Sequence, residues 1–316
     1  MHNYHTSFTL NESQEIQAYF KQYGYVAVRD VLTPQECQNT YNEMNAHMKA
    51  INPAFDIYDV NTYDSTPLIN NFGLYSHTPL FTSQFLHNRQ NPDVFAVFAL
   101  LYGTRNLLVN HDRCCFYRPT LDKPEWKTKF EYPGLHLDFH PSTYDRPEFV
   151  KNVREKLAYS DSRDFVSENN MYCCDDGLQL QGVINLLNNE PEDGGFQCVP
   201  GFNYLSWFEN FREKKANIIG SYFFSAKDPN DMKYVFESER IAVPKGTLIV
   251  WDQKMAHGSR PNSSLKPRAC QFIKMYPKSI VSRERYLARQ KALRKVLANN
   301  DFAPQVNNVG QIVFGL

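Results

Sequence analysis

The chain has 316 residues, of which 42% are hydrophobic and 14% aromatic, which is enough for one large globular domain with a continuous core. Lys plus Arg and Asp plus Glu both number 34, so no bulk charge attracts nucleic acid or an acidic membrane. No apolar run is long enough to cross a bilayer, and residues 1–6 lack the pattern of a secretory signal. We therefore expect a cytoplasmic protein that binds neither nucleic acid nor membrane, and whose seven cysteines, without CxxC spacing, are mostly buried thiols.

The N-terminal part, about residues 10–105, is predicted to be mainly helical. Asn11 and Gln14 are a plausible capping pair for a helix that Gly24 ends, and a strand follows over 25–28. Thr33, Pro34 and Glu36 then predict the start of a second helix. Its predicted buried stripe is Cys37, Tyr41, Met44 and Met48.

The segment from 51 to 83 shows no sustained period and is predicted to be a long loop, either covering a substrate or lying inertly on the surface. Asn91 caps a helix that ends near Gly103. Residues 107–119 then predict one strand that enters a barrel. Arg118 is a candidate for holding an anionic group if its face of this strand looks inward, whereas a solvated strand end is the ordinary alternative.

The barrel is predicted to extend over about 107–278. His136 and Asp138 lie on one face of an extended segment, because alternate side chains of a strand point the same way. His140 shares that face, and we expect it to support the site without being a ligand. The charged insertion 141–176, with a short helix predicted over 147–157, is the expected lid.

Five further segments complete the predicted elements. Residues 178–187 form a strand on which Gln181 offers an amide to a polar recognition face, and the Gly-containing turns after it lack the spacing of a phosphate loop. Residues 204–215 predict an amphipathic helix. Strands follow over 241–251 and 269–275, and a basic helix over 282–297 either meets an anionic partner or is solvated.

The candidate site combines His136, Asp138, His257 and Arg268. Two imidazoles and one carboxylate on one side of a metal are the arrangement of non-haem Fe(II) oxygenases, which keep positions open for a co-substrate and O2. Alone, a His-x-Asp pair is more often a surface pair than a ligand set. An Arg beyond the second His can hold the distal carboxylate of a 2-oxo acid bidentately.

These motifs resemble the phytanoyl-CoA dioxygenase-like family of Fe(II)- and 2-oxoglutarate-dependent oxygenases. The resemblance covers about residues 10–275 and includes the stretch 192–201 and the opening 23–36. It implies that His136, Asp138 and His257 bind iron, that Arg268 pairs with the far carboxylate of 2-oxoglutarate, and that Ser259 assists it. Two departures concern the pocket lining: Val183 stands where the family often has an aromatic residue, and Asn203 or Tyr204 replaces a final His.

The resemblance implies a mainly β (α+β) protein, with a double-stranded β-helix of the jelly-roll or cupin type flanked by N- and C-terminal helices. We expect one domain over 1–316, with the C-terminal helix and tail over about 282–316. The expected cofactors are Fe(II), 2-oxoglutarate and O2. The expected substrate is a small molecule, amphipathic and with an anionic group that Arg118 and Arg260 could hold.

The expected reaction oxidises an unactivated C–H, by hydroxylation or by desaturation or cyclisation, within specialised metabolism. Two alternatives remain at this point. One is a zinc hydrolase that uses the same three ligands, and the other is a non-catalytic cupin-like protein that binds a small molecule. The zinc hydrolase has no use for Arg268.

Overall fold

A computed structural model describes residues 4–69, 72–128, 133–143, 162–167, 177–202 and 220–316. Helices precede, interrupt and follow the strands. Within these ranges the helices are α1 (Ser13–Tyr23), α2 (Pro34–Ile51), α3 (Ser83–Arg89), α4 (Pro92–Tyr102), α5 (Ser162–Ser167), α6 (Pro229–Glu237), α7 (Arg283–Asn299) and α8 (Asn308–Val313). The strands are β1 (Tyr25–Val28), β2 (Leu107–Val109), β3 (Cys114–Tyr117), β4 (Leu135–Leu137), β5 (Leu180–Asn185), β6 (Gly195–Cys198), β7 (Tyr222–Phe223), β8 (Glu239–Arg240), β9 (Leu248–Asp252), β10 (His257–Arg260), β11 (Arg268–Ile273) and β12 (Met275–Pro277).

The strands form two five-stranded antiparallel sheets and one antiparallel pair. The first sheet has the order β1-β9-β5-β11-β3, and the second has the order β7-β4-β10-β6-β8. Strands β2 and β12 form the separate pair. Side chains of the two large sheets meet between them, as the ring centroids of Phe196 and Trp251 show at 4.5 Å. The predicted antiparallel β core with N- and C-terminal helices is therefore present, in a fold with mixed helix and strand content.

Local capping signals place two of the N-terminal helices as predicted. The Thr33 hydroxyl accepts from the Glu36 backbone N–H and the Glu36 carboxylate accepts from the Thr33 backbone N–H, so α2 begins with a full capping box. Asn91 caps α4, and Gly103 ends it in a left-handed conformation. The predicted stripe of α2 is buried.

The N-cap predicted for α1 was wrong. Glu12, not Asn11 with Gln14, precedes the helix, and its carboxylate accepts from the Thr9 backbone N–H and hydroxyl. The long segment 51–83 contains a short 3-10 helix over Val60–Ser65, in agreement with the predicted loop.

The single strand predicted over 107–119 was also wrong, because the chain divides there. Strand β2 pairs with β12 and β3 pairs with β11, and the segment 110–113 between them is held by side chains. The Asn110 amide oxygen accepts from the Lys274 backbone N–H, and the Asp112 carbonyl accepts from Arg89. These bonds replace the ladder bonds that a continuous strand would make.

The basic helix α7 is not simply solvated. Arg289 is fully buried and Arg285 nearly so, whereas the sequence predicted that the basic residues of this helix either meet an anionic partner or are solvated. The Arg289 guanidinium donates to the backbone carbonyls of Val109 and Val313, and so joins α7 to β2 and α8.

Three predictions fall wholly or largely on residues outside the described ranges. They are the helix over 147–157, most of the lid segment 141–176 and the amphipathic helix over 204–215. In the described part of the chain, no helix is both long enough and apolar enough to span a bilayer.

Candidate metal and co-substrate site

His136, Asp138 and His257 converge between the two large sheets. One potential ligand atom from each lies within 4.8 Å of the others. The Asp138 Oδ1 atom is 3.4 Å from His136 Nε2 and 3.9 Å from His257 Nε2. Two neutral imidazoles and one carboxylate suit a divalent transition metal, and three protein ligands leave other coordination positions open. The donor set therefore fits an Fe(II) ion.

Strand pairing brings the two histidines together from distant parts of the sequence. His257 on β10 is directly opposite His136 on β4, and their ring centroids are 4.6 Å apart. The backbones of these strands are unusually close: a Cβ added to Gly258 would lie 1.8 Å from the Gly134 carbonyl oxygen. Glycine at 258 therefore permits the approach that places both imidazoles on one ion.

Hydrogen bonds orient two of the three candidate ligands. His257 Nδ1 lies 3.0 Å from the Met255 carbonyl oxygen; an N–H donated there leaves Nε2 unprotonated toward Asp138. The Gln181 amide N–H donates to Asp138 Oδ2 at 2.6 Å. Gln181 comes from β5 in the opposite sheet, so this bond crosses the interior.

The protonation states match metal binding. Burial, followed by the charge of His136, lowers the pKa of His257 to about 4, so its imidazole is neutral at physiological pH. Burial alone would raise the pKa of Asp138, but hydrogen bonding and charge from His136 and His257 hold it below its usual range. Both groups are therefore in the form that coordinates a cation.

Arg268 lies at one end of the interior face of β11. It is almost fully buried, its guanidinium carbon is 4.8 Å from the centre of the Tyr117 ring, and its Nη1 atom is 3.9 Å from Cys115 Sγ. Gly195 makes room for it, because a Cβ there would lie 2.4 Å from Arg268 Nε. Among the described residues, that Nε atom has no hydrogen-bond partner and the guanidinium has no carboxylate partner.

A second buried guanidinium, that of Arg240, strengthens this positive region. Arg240 donates to the Asn189 side chain and to backbone carbonyls. Burial, followed by the charge of Arg268, lowers the pKa of Arg240 to about 9. Asp193 and Glu192 offset part of the charge of Arg240. Arg268 has no carboxylate partner among the described residues, and a buried cation without an anion is costly, so an incoming carboxylate would stabilise this end of the interior.

Two further residues that were predicted from the sequence, Ser259 and Arg118, lie in different parts of the structure. Ser259 is on β10, and its hydroxyl is hydrogen-bonded to Tyr117, which also contacts Arg268. Arg118 lies on the opposite side of β3, where it donates to the Tyr63 carbonyl and covers the Trp126 ring. The structure thus brings Ser259 toward Arg268 and does not bring Arg118 to the metal ligands.

His140 and Arg260 also take places outside the ligand group. His140 is fully buried, with its Nδ1 atom 2.8 Å from the Ser142 hydroxyl and its ring against Tyr222. Arg260 donates to Gln197 and to the Ser238 carbonyl.

Aromatic residues around the ligands were not singled out from the sequence. Phe223 stacks on His136 at 5.6 Å and is 67% exposed, so it stands at the entrance to the site. Trp251 lies 5.3 Å from the His257 ring, and its indole N–H has no partner among the described residues. The positions of these rings follow from the pairing of β7 with β4 and from the way in which the two sheets pack face to face. Sequence periodicity therefore does not predict that they lie beside the ligands.

The chain is similar in sequence to a known protein family. Residues 162–270 match the family model described as phytanoyl-CoA dioxygenase. A Dictyostelium discoideum protein that carries the phytanoyl-CoA dioxygenase name is 39% identical over 290 residues, which cover 90% of this chain and 81% of that protein. The chain belongs to the phytanoyl-CoA dioxygenase family. Its class is therefore that of the non-haem Fe(II)- and 2-oxoglutarate-dependent dioxygenases, with iron and 2-oxoglutarate as cofactors.

More distant similarities extend over most of the chain. The Ava biosynthesis cluster protein O of Aspergillus versicolor is 24% identical over 293 residues, covering 89% of this chain and 83% of that protein. The crystal structure of the GlcNAc Inducible Gene 2 protein of Candida albicans has a TM-score of 0.56 and 16% identity, and it covers 96% of this chain and 73% of that one. This structural likeness extends the shared fold beyond the segment that the phytanoyl-CoA dioxygenase family model matches.

Proposed function

We propose that His136, Asp138 and His257 hold Fe(II) and that Arg268 binds the distal carboxylate of 2-oxoglutarate. The observation that carries this assignment is the buried guanidinium of Arg268, which has no carboxylate partner among the described residues, in the same interior as a three-donor group. A planar guanidinium suits a bidentate pair with a carboxylate. Ser259 fixes Tyr117 beside it, and Gln181 holds Asp138 in place.

The cofactors, when bound, supply activation of O2 coupled to the conversion of 2-oxoglutarate to succinate. The chain supplies the geometry for this chemistry. Asp138 and the two imidazoles would hold the metal with three protein atoms, which would leave coordination positions for the co-substrate and O2. The Phe196 and Trp251 rings pack beside His257 and limit the access of water from that direction.

The proposed reaction is oxidation of an unactivated C–H in a small organic molecule, with hydroxylation as the default outcome and desaturation or cyclisation as variants. A carboxylate at position 138 disfavours halogenation, which needs that coordination position for a halide. The name of the Aspergillus relative, a biosynthesis cluster protein, favours a role in specialised metabolism. The exposed Phe223 beside His136 favours a substrate with an apolar part.

The two facing sheets are proposed to be the halves of a double-stranded β-helix within one domain. Their antiparallel pairing and the side chains that meet between them support this architecture. In such a barrel the metal lies near the open end, which agrees with the exposed Phe223.

The test uses the full chain with Fe(II) and 2-oxoglutarate under anaerobic conditions. The wild type should develop the charge-transfer absorption of an Fe(II)–2-oxoglutarate complex and, after oxygen is admitted, should release succinate. We expect His136→Ala, Asp138→Ala and His257→Ala to abolish both signals. Arg268→Met should retain metal binding but weaken 2-oxoglutarate binding by about a hundredfold, because a hydrogen-bonded charge pair contributes on the order of 3 kcal/mol.

Arg118→Met is the matched control, since it removes a cation from the opposite side of β3. It should leave both signals unchanged. Full 2-oxoglutarate affinity in Arg268→Met would contradict the proposed role and would favour a metal site that has no use for this arginine, as in a zinc hydrolase. Metal binding that changed only the thermal stability would favour a non-catalytic binding protein.

A further inference from the structure

Two cysteines face each other across β3 and β11, beside Arg268. Cys115 and Cys270 are directly opposite in the antiparallel pairing, and both are fully buried free thiols. Their Sγ atoms are 3.1 Å apart. Neither thiol has a part in the proposed binding of the metal or of 2-oxoglutarate. The fold therefore places two adjacent oxidisable groups at the end of the interior where Arg268 lies.

The backbone geometry of this pair suits a disulfide bond. The Phe272 backbone N–H donates to the Arg113 carbonyl, so these two residues are a hydrogen-bonded pair of the ladder. Because such pairs alternate along an antiparallel ladder, Cys270 and Cys115, two positions further on, are a hydrogen-bonded pair as well. The Cα atoms of such a pair are about 5.5 Å apart, which is a common separation for a disulfide. Closing the bond therefore requires the sulfur atoms to approach by about 1 Å, without separation of the strands.

The two thiols differ in how readily they lose a proton. Burial alone would raise the pKa of Cys270, but the hydrogen bond from Cys115 and the charge of Arg268 hold it below its usual range. The hydrogen bond with Cys270, followed by burial, raises the pKa of Cys115 well above its usual range. Cys270 is therefore the sulfur that ionises, and Cys115 keeps its proton. Because the thiolate is the nucleophile in thiol chemistry, Cys270 reacts first with an oxidant and Cys115 resolves the product.

Cys114 and Cys37 have different surroundings. Cys114 points to the opposite face of β3, where its Sγ atom is 2.6 Å from the Tyr75 hydroxyl oxygen. Burial raises the pKa of Cys114 to about 12 and that of Cys37 to about 11. Both thiols therefore stay protonated at physiological pH and react slowly with oxidants.

Arg268 connects the state of the two thiols to the binding of 2-oxoglutarate. Its Nη1 atom is 3.9 Å from Cys115 Sγ, and its hydrogen bond and charge stabilise the thiolate of Cys270. A carboxylate bound to Arg268 would compete for this guanidinium and so make the thiolate less stable. Oxidation would draw the two sulfur atoms toward each other and remove the contacts that position the guanidinium. Because coupling between two events is reciprocal, bound 2-oxoglutarate should in turn oppose oxidation.

We propose that Cys115 and Cys270 form a reversible disulfide under oxidising conditions and that this disulfide lowers the affinity of the enzyme for 2-oxoglutarate. The oxidant is a hydroperoxide such as hydrogen peroxide, which is close to water in size. The larger co-substrate must reach Arg268 in the same interior. The second part of this inference rests on the proposed function, because it takes Arg268 to bind 2-oxoglutarate.

The reaction has two steps. The Cys270 thiolate attacks one peroxide oxygen, so that an S–O bond forms, the O–O bond breaks and hydroxide leaves as a sulfenic acid is produced. The Cys115 sulfur then attacks Cys270, the S–S bond forms, and the hydroxyl group of the sulfenic acid leaves with the Cys115 proton as water. In total the two thiols lose two electrons and two protons, and one hydrogen peroxide is reduced to two water molecules.

The first measurement detects the disulfide in the full chain loaded with Ni(II), which does not cycle with peroxide. After treatment with hydrogen peroxide, the protein is denatured, alkylated with N-ethylmaleimide and analysed by mass spectrometry. The wild type should lose two alkylation sites and should join the peptides that contain Cys115 and Cys270, and dithiothreitol should restore both sites. Cys115→Ser and Cys270→Ser should not form this link. Cys114→Ser is the matched control from the other face of β3 and should form it as the wild type does.

The second measurement is calorimetry of 2-oxoglutarate binding to the same Ni(II)-loaded samples. The oxidised wild type should bind 2-oxoglutarate about tenfold more weakly than the reduced wild type, as expected for the loss of one contact to a charged group. Dithiothreitol should restore the affinity, and peroxide should not change the affinity of Cys270→Ser. Saturating 2-oxoglutarate, present during the peroxide treatment, should slow disulfide formation by a similar factor. Thermal unfolding identifies a serine variant that does not fold, and the corresponding alanine variant then replaces it.

Failure of the inference differs from failure of the proposed function. If the reduced wild type does not bind 2-oxoglutarate, the proposed function is wrong, and mass spectrometry still decides whether the disulfide forms. No disulfide in the wild type, or a link of the same yield in Cys115→Ser, would overturn the inference. Equal 2-oxoglutarate affinity of the reduced and oxidised wild type would overturn it as well.

Discussion

The approach of Gly195 to Arg268 determines where the guanidinium of Arg268 can lie. Gly195 has a φ of +110°, and a Cβ there would lie 2.4 Å from Nε and 2.8 Å from Cζ of Arg268. Gly195→Ala should therefore displace the guanidinium and weaken 2-oxoglutarate binding by about tenfold to a hundredfold. Metal affinity should change little, because no candidate ligand contacts Gly195. Calorimetry with Ni(II), followed by 2-oxoglutarate, measures both affinities.

Gly103 offers a matched control for the backbone strain of this substitution. Its φ is also positive, at +66°, but a Cβ there meets nothing within 4 Å. Gly103→Ala should cost about 1 kcal/mol of folding stability, as expected for a left-handed residue that gains a Cβ, and should leave 2-oxoglutarate affinity intact. Equal affinity losses in the two variants would show that strain, not the position of Arg268, is responsible.

The sequence predicted the candidate metal ligands more accurately than it predicted the roles of the neighbouring residues. The chemistry of His136, Asp138 and His257 is readable from the sequence because few side chains suit Fe(II), and the structure brings the three together. The bond from Gln181 to Asp138 depends on how two sheets face each other, which no local pattern encodes. Strand alternation left two possible faces for Arg118, and only the packing of Trp126 decides between them.

At the scale of elements, the contact between β4 and β10 sets the spacing of the two imidazoles. Gly258→Ala would place a methyl group 1.8 Å from the Gly134 carbonyl oxygen, so the strands must separate. We expect this separation to weaken metal binding by tenfold or more and to reduce folding stability by about 1–3 kcal/mol. Titration with Co(II), together with thermal unfolding, measures the two effects.

Thr33→Ala is the reference for a loss of stability far from the metal. It removes the hydroxyl from the capping box of α2 and should cost about 1 kcal/mol of folding stability. Its Co(II) affinity should equal that of the wild type. If Gly258→Ala loses stability but keeps its Co(II) affinity, the close approach of the strands serves the fold and not the ligand geometry.

Elements with local start and stop signals were predictable, and those defined by long-range pairing were not. Thr33 with Glu36, and Asn91 with Gly103, carry the information for α2 and α4 in adjacent residues. The division of 107–119 into β2 and β3 depends on pairing with strands more than 150 residues later in the chain. The burial of Arg289 likewise follows from where α7 packs, which a count of charges along the helix does not reveal.

At the scale of the whole molecule, the C-terminal helices close against the sheets through an aromatic cluster around His111. Its ring is fully buried and lies 5.2 Å from Phe81, 5.4 Å from Phe165 and 5.7 Å from Phe314. Both ring nitrogens lack partners among the described residues. Arg89 and Arg289 stand nearby, both fully buried and both donating to backbone carbonyls. The cluster therefore joins α3, the segment after β2, α5, α7 and the C-terminal end through a neutral histidine.

This arrangement makes global stability depend on pH. Burial, followed by the charges of Arg89 and Arg289, lowers the pKa of His111 well below its ordinary value of 6.5. The unfolded chain therefore takes up a proton at His111 before the folded one does, so this contribution to stability is complete above pH 6.5 and is lost as the pH falls below it. Between pH 6.5 and 5.5 the loss is about 1 kcal/mol for a single group. His111→Phe should remove this part of the pH dependence, and the surface variant His87→Gln should retain it. Urea unfolding of the three proteins at pH 7.5, 6.5 and 5.5 measures the difference, and equal pH slopes for the wild type and His111→Phe would show that His111 does not hold the C-terminal helices in this neutral form.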